Sequence, residues 1–238
     1  MGESWPQIQV ALDLVRLGDA LRIARAAASE GVGWLEAGTP LIKSEGMRAV
    51  RALSRTFHAR KVVADMKTLD AGRIEAEMAF EAGAKVVSIS GLAHDRTISD
   101  SVQTAARYDG MLMADLLMSP NPRKRATQLQ SLGVDIVCVH MGIDAQRALR
   151  SRLGVDRNLR EMVRTLRIPI AVAGGVNPNS AKALVRSGVK LIIVGGWITG
   201  SKDPARASRQ IVDRVKLPNK THDQELISHK TAIPEGEG

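Results

Sequence analysis

The chain runs to 238 residues, 44% of them apolar, a size one large core can organise and an apolar share too high for a disordered chain. No run reaches the roughly 20 apolar residues of a membrane span, the single Cys138 excludes a disulfide framework, and Met1-Gly2-Glu3-Ser4-Trp5-Pro6 lacks a basic start leading into an apolar stretch, so a cytoplasmic protein with no membrane partner is expected. The formal charge is +9, but three Trp, two Phe and one Tyr give few platforms for stacked bases; the excess is read as attraction to a small phosphorylated substrate, and no nucleic-acid partner is expected.

In chain order, short apolar runs at 8–12, 34–36, 61–65, 86–90, 111–115, 136–140, 170–173 and 191–194 predict eight strands. Stretches of helical period lie between them, among them 17–28, 72–81, 122–132, 157–167 and 179–187. Four times a helical stretch ends on a glycine (Gly31, Gly83, Gly133, Gly188) and a β-rich run follows within a few residues. Glycine takes the left-handed conformation that closes a helix without steric penalty. The strand runs lack strict alternation, as strands covered on both faces do. Strand–helix alternation predicts a parallel sheet, and eight units in this length predict an α/β protein built as a single (β/α)8 TIM barrel over residues 1–216. Residues 217–238 are rich in Glu, Lys and Gly, and an extension lying on the surface or disordered is expected there.

The ends of the strand runs carry the chemistry. Asp13, Glu36, Asp65, Ser90, Asp115 and His140 close the first six, and Gly174-Gly175 and Gly195-Gly196 close the last two. In a barrel all these ends share one rim, the rim at which active sites are built. The densest cluster is Asp65-Met66-Lys67-Thr68-Leu69-Asp70. Alternation along an extended segment puts Asp65 and Lys67 on one side, aimed into the mouth, where the ammonium is poised to stabilise an oxyanion. Glu36 on the neighbouring strand adds a second carboxylate, and two carboxylates with open coordination positions suit Mg²⁺, with Mn²⁺ as a substitute. The glycine pairs follow strands seven and eight, where barrels commonly hold a phosphate on backbone N–H groups. His140, opposite the acidic cluster, is a candidate proton shuttle.

Asp-x-Lys-x-x-Asp after the third strand resembles the signature of the orotidine monophosphate decarboxylase suprafamily. Glu36 within Leu35-Glu36-Ala37-Gly38-Thr39-Pro40 resembles its metal-dependent branch, which holds the 3-hexulose-6-phosphate synthases and the 3-keto-L-gulonate-6-phosphate decarboxylases. The decarboxylases have Glu at the position of Asp115 and Arg at that of Ile143. They have Thr at that of Ala173 and Arg at that of Gly196, so all four positions look like the synthases. Trp197 departs from the pattern, which has a small residue there. The resemblance implies an aldol reaction of formaldehyde with a phosphorylated pentulose, D-ribulose 5-phosphate, through a cis-enediolate; decarboxylation through the same kind of enediolate is the alternative. It further implies Mg²⁺ on Glu36 and Asp65, Lys67 beside the intermediate, His140 moving protons, and Asp13 and Asp115 orienting hydroxyls and water. The 5-phosphate would lie on Gly174, Gly175, Gly195 and Gly196, with Asp144 contributing hydrogen bonding nearby. Members of the branch are homodimers, which implies that Asp70 reaches the partner's active site.

Overall fold

The computed structural model describes residues 6–149 and 155–216; the extension expected from residue 217 lies outside the described residues. Eight parallel strands close into one barrel in chain order: β1 (Gln7–Leu12), β2 (Trp34–Ala37), β3 (Lys61–Thr68), β4 (Val86–Ser90), β5 (Met111–Asp115), β6 (Ile136–His140), β7 (Ile170–Ala173) and β8 (Leu191–Val194). The helices Leu17–Ser29, Gly72–Glu81, Asp95–Arg107 and Pro178–Arg186, among others, cover the outside. The four helix-closing glycines all take positive φ, between 90° and 98°. That repeated turn is what returns the chain to the start of the next strand. Among the described residues no helix is long and apolar enough to cross a membrane.

Each strand is buried on two faces, as its unbroken apolar run requires. One face joins the shell of helices in a large apolar cluster, and the other fills the barrel interior. Interior side chains stack in layers drawn from alternate strands. Gln9, Val63, Met113 and Ala171 form one layer, and Glu36, Ser88, Cys138 and Ile193 form the next one up. Ala11, Asp65, Asp115 and Ala173 lie above them, at the C-terminal mouth. Trp34, almost fully buried, fills the opposite end, with Lys61 Nζ 5.1 Å from its ring centroid. Polarity therefore rises toward the mouth.

The third strand differs from its expected form. It continues past Asp65 to Thr68, and its register against β4 shifts between Ala64 and Thr68. Lys67 lies in the left-handed region at φ 47°. Asp65 and Lys67 do meet, but through a bulge and not through plain alternation; the two extra residues re-aim the Lys67 side chain. A left-handed non-glycine residue stores strain of about 1–3 kcal/mol, and such strain gathers at functional sites.

Candidate active site

Lys67 is the hub. Its ammonium lies 2.5 Å from Asp65 Oδ2 and 3.4 Å from Asp115 Oδ2. Asp115 Oδ2 also lies 2.8 Å from His140 Nδ1. The strand ends of β3, β5 and β6 are thus joined in one chain of charge, Asp65–Lys67–Asp115–His140. Both carboxylates are buried, whereas Lys67 and His140 are half-buried and reach the open mouth.

Two further side chains fix Asp65. Ser88 Oγ donates to Oδ1 at 2.6 Å, and Thr39 Oγ1 donates to Oδ2 at 2.7 Å. The Ser88 hydroxyl also accepts from the Lys67 backbone N–H at 3.1 Å, tying the bulge to β4. Ser88 and Thr39 went unnoticed in the sequence. Their signal was present: Ser88 interrupts an apolar run at an interior position, and Thr39 stands three residues after Glu36.

The electrostatics follow from this packing. Burial alone would lower the Lys67 pKa, but Asp65, Asp115 and Glu36 outweigh it and raise the pKa above the usual lysine value. Burial would raise Asp115, yet the His140 hydrogen bond and the charges of His140 and Lys67 hold it below the usual carboxylate value. An ionised Asp115 accepts the Nδ1 proton of His140, which leaves Nε2 as the free ring nitrogen. Asp13 stands at the solvent-facing edge of the mouth, where desolvation by the surrounding wall and repulsion from Asp65 raise its pKa. Gly38 makes room for it: a Cβ there would come within 2.2 Å of Asp13 Oδ1.

Glu36 is the outlier. It is buried, its Oε2 has no hydrogen-bond partner, and its pKa is raised well above the usual value by burial and by repulsion from Asp65 and Asp13. A bare carboxylate oxygen beside other acids is costly unless a cation sits against it. Asp65 keeps a spare lone pair on Oδ1, so the two residues offer hard oxygen donors that fit Mg²⁺. Among the described residues no three His, Cys, Asp or Glu side chains are arranged to hold a metal between them. A cation held by Glu36 and Asp65 would take the rest of its ligands from substrate and water.

The two glycine pairs are not equivalent. Gly174 takes φ 111°, and a Cβ on it would approach the Met141 carbonyl oxygen to 2.3 Å, so its smallness serves the contact between two loops. Gly175 follows at φ 66°. A Cβ on Gly195 would sit 3.6 Å from Asp13 Oδ2, and one on Gly196 would meet nothing within 4 Å. The open space lies above Gly196. Trp197 lines an outer depression with Asn177, Asn179 and Arg214, outside the charged cluster.

Two candidates are not brought into the cluster. The Asp144 side chain is fully exposed, and among the described residues it pairs with Arg147 at 3.9 Å. It lies in the first turn of the short helix Ile143–Leu149, with its carboxylate in solvent. Asp70 is exposed beyond the end of β3 and, among the described residues, makes no ion pair or hydrogen bond within its own chain.

Residues 6–211 match the orotidine 5'-phosphate decarboxylase / HUMPS family. The chain belongs to that family. Among its members, the 3-hexulose-6-phosphate synthase of Mycobacterium gastri is 37% identical over 206 residues, 86% of this chain and 97% of that one. The crystal structure of a 3-hexulose-6-phosphate synthase superposes with a TM-score of 0.81 at 36% identity, covering 88% of this chain and 99% of the other. A 3-keto-L-gulonate-6-phosphate decarboxylase from Vibrio cholerae gives a TM-score of 0.78 at 29% identity, over 89% of this chain and 98% of the other. The family fold is common to both activities.

Proposed function

We propose that this chain is a 3-hexulose-6-phosphate synthase, an aldehyde-lyase that reversibly joins formaldehyde to D-ribulose 5-phosphate to give D-arabino-hex-3-ulose 6-phosphate. Close similarity to synthases of that name supports it. The observation that carries it is the chain Asp65–Lys67–Asp115–His140 across the mouth, a fixed cation beside a proton carrier. The arginines that mark the decarboxylases are replaced by an exposed Ile143 and by Gly196.

His140 Nε2 takes a proton from the sugar carbon next to the carbonyl, and the electron pair left behind spreads onto the carbonyl oxygen. Lys67, locked between two carboxylates and fully charged, faces that oxygen with no reorganisation. The same carbon then attacks formaldehyde. The new alkoxide recovers the proton from His140, and atoms and charge balance. Asp115 holds the ring in the productive tautomer throughout, while Asp13 orients hydroxyls at the rim. Mg²⁺, with Mn²⁺ as substitute, held by Glu36 and Asp65, would supply Lewis acidity toward the sugar oxygens. Backbone N–H groups around Gly175, Gly195 and Gly196 receive the 5-phosphate.

The working unit in this reading is a cytoplasmic homodimer in which Asp70 enters the partner's mouth. Its exposure supports this, as do the exposed Leu69, Ile74 and Met78 close to it in the chain. Formaldehyde consumption with ribulose 5-phosphate tests the whole: it should proceed with Mg²⁺, stop in EDTA and resume on adding metal. No consumption overturns the activity, and a rate undiminished by exhaustive chelation overturns the metal.

A further inference from the structure

Among the described residues, three buried side-chain atoms lack a hydrogen-bond partner, and all belong to two residues: Gln9 Nε2, Gln9 Oε1 and Glu36 Oε2. Gln9 is completely buried, and the other members of its layer, Val63, Met113 and Ala171, are apolar. Burying an unpaired amide costs about 1–3 kcal/mol, and an apolar side chain of the same length would avoid it. The barrel filling therefore gives no reason for a glutamine. Its placement does. Gln9 lies one layer beneath Glu36 on the adjoining strand, with Ala11 of β1 in register with Glu36.

We infer that Gln9 is a positioning residue for the cation site: its Nε2–H, unpartnered in this structure, is the donor that engages Glu36 from below when a cation draws the other carboxylate oxygen toward Asp65 and the mouth, and it then pins the carboxylate against rotation. This rests on the reading that Glu36 and Asp65 hold a divalent cation. A metal-ligating carboxylate that is itself hydrogen-bonded is better oriented, and loss of such a supporting partner lowers metal affinity by about 10–100-fold. Glu36 needs the support because Asp65 already has its own, from Ser88 and Thr39.

The test is Mn²⁺ titration of the purified full chain, reading free Mn²⁺ by electron paramagnetic resonance, alongside the thermal midpoint without metal. Gln9→Met keeps the length and removes the amide. It should melt no lower than the parent without metal, yet bind Mn²⁺ at least about tenfold more weakly. Gln9→Asn keeps an amide that stops short of Glu36 and should show the same loss, which covers failure of the first variant to fold. Parent-like Mn²⁺ affinity in either folded variant overturns the inference and leaves the cation site standing. Absence of Mn²⁺ binding in the parent overturns the cation site and this inference with it.

Discussion

The two halves of the barrel mouth solve opposite problems. On the β2, β3, β5 and β6 side, charged side chains are packed so tightly that each carboxylate but one has a named partner. On the β7 and β8 side the chain withdraws its side chains, and the space above Gly196 is open. One half holds charge in place; the other leaves backbone exposed at Gly196, where the proposed 5-phosphate would lie. Changes in the first half should alter turnover and stability together, and changes in the second should separate them.

Lys67→Ala should break the first half most completely. It removes the cation shared by Asp65 and Asp115 and leaves two buried carboxylates facing each other. Turnover of ribulose 5-phosphate and formaldehyde should fall at least about 10³-fold, and unfolding free energy should drop by about 3–5 kcal/mol. Steady-state rates and a urea titration check both. A variant that keeps its stability would show that the ion pairs are not structural, and the contrast between the halves would fail on that side.

The second half is probed by a matched pair. Gly174→Ala forces a Cβ onto a residue at φ 111° and against the Met141 carbonyl, so it should lose at least about 2 kcal/mol, roughly 4–8 °C in melting temperature. Gly196→Ala meets no atom and should stay within about 0.5 kcal/mol of the parent. Its methyl group would occupy the anion's space, so KM for ribulose 5-phosphate should rise about tenfold, equivalent to 1.4 kcal/mol, with kcat little changed. Equal stability losses in the two variants would mean that both glycines serve the fold alone.

How much of this was legible in the sequence depends on which interaction sets each feature. Six of the eight strand runs end where expected because an apolar run stops where the barrel opens to water, and that pattern is local. The Lys67 bulge was not legible: a left-handed lysine has no local signature and persists because Ser88, 21 residues further on, accepts its N–H. Gln9 was hidden inside an apolar run, and only the register of β1 against β2 places it beneath Glu36. The family pattern points to Asp144 near the site, but the first turn of its helix leaves it in solvent. Gly174 and Gly196 look alike in sequence, and only the position of Met141 tells them apart.

The mildest test concerns the acid limb of stability. Asp115 has a folded pKa below its unfolded value of about 3.9. A depressed carboxylate contributes stability that is present above the unfolded pKa and disappears as pH falls through the folded one. Lys67 runs the other way: its raised pKa contributes fully below about 10.4 and is lost only in strong alkali, so it cannot shape the acid limb. Asp115→Asn should therefore cost about 1–3 kcal/mol at pH 7, the worth of charge-assisted hydrogen bonds to His140 and Lys67. The gap between parent and variant should narrow as the pH drops through the acid range and nearly close once Asp115 is protonated in both folded and unfolded chains. Denaturant titrations of the pair from pH 7 to pH 3 measure it. A gap that stays constant across that range would mean that Asp115 stabilises the mouth by packing, and that its charge serves only the proton carrier beside it.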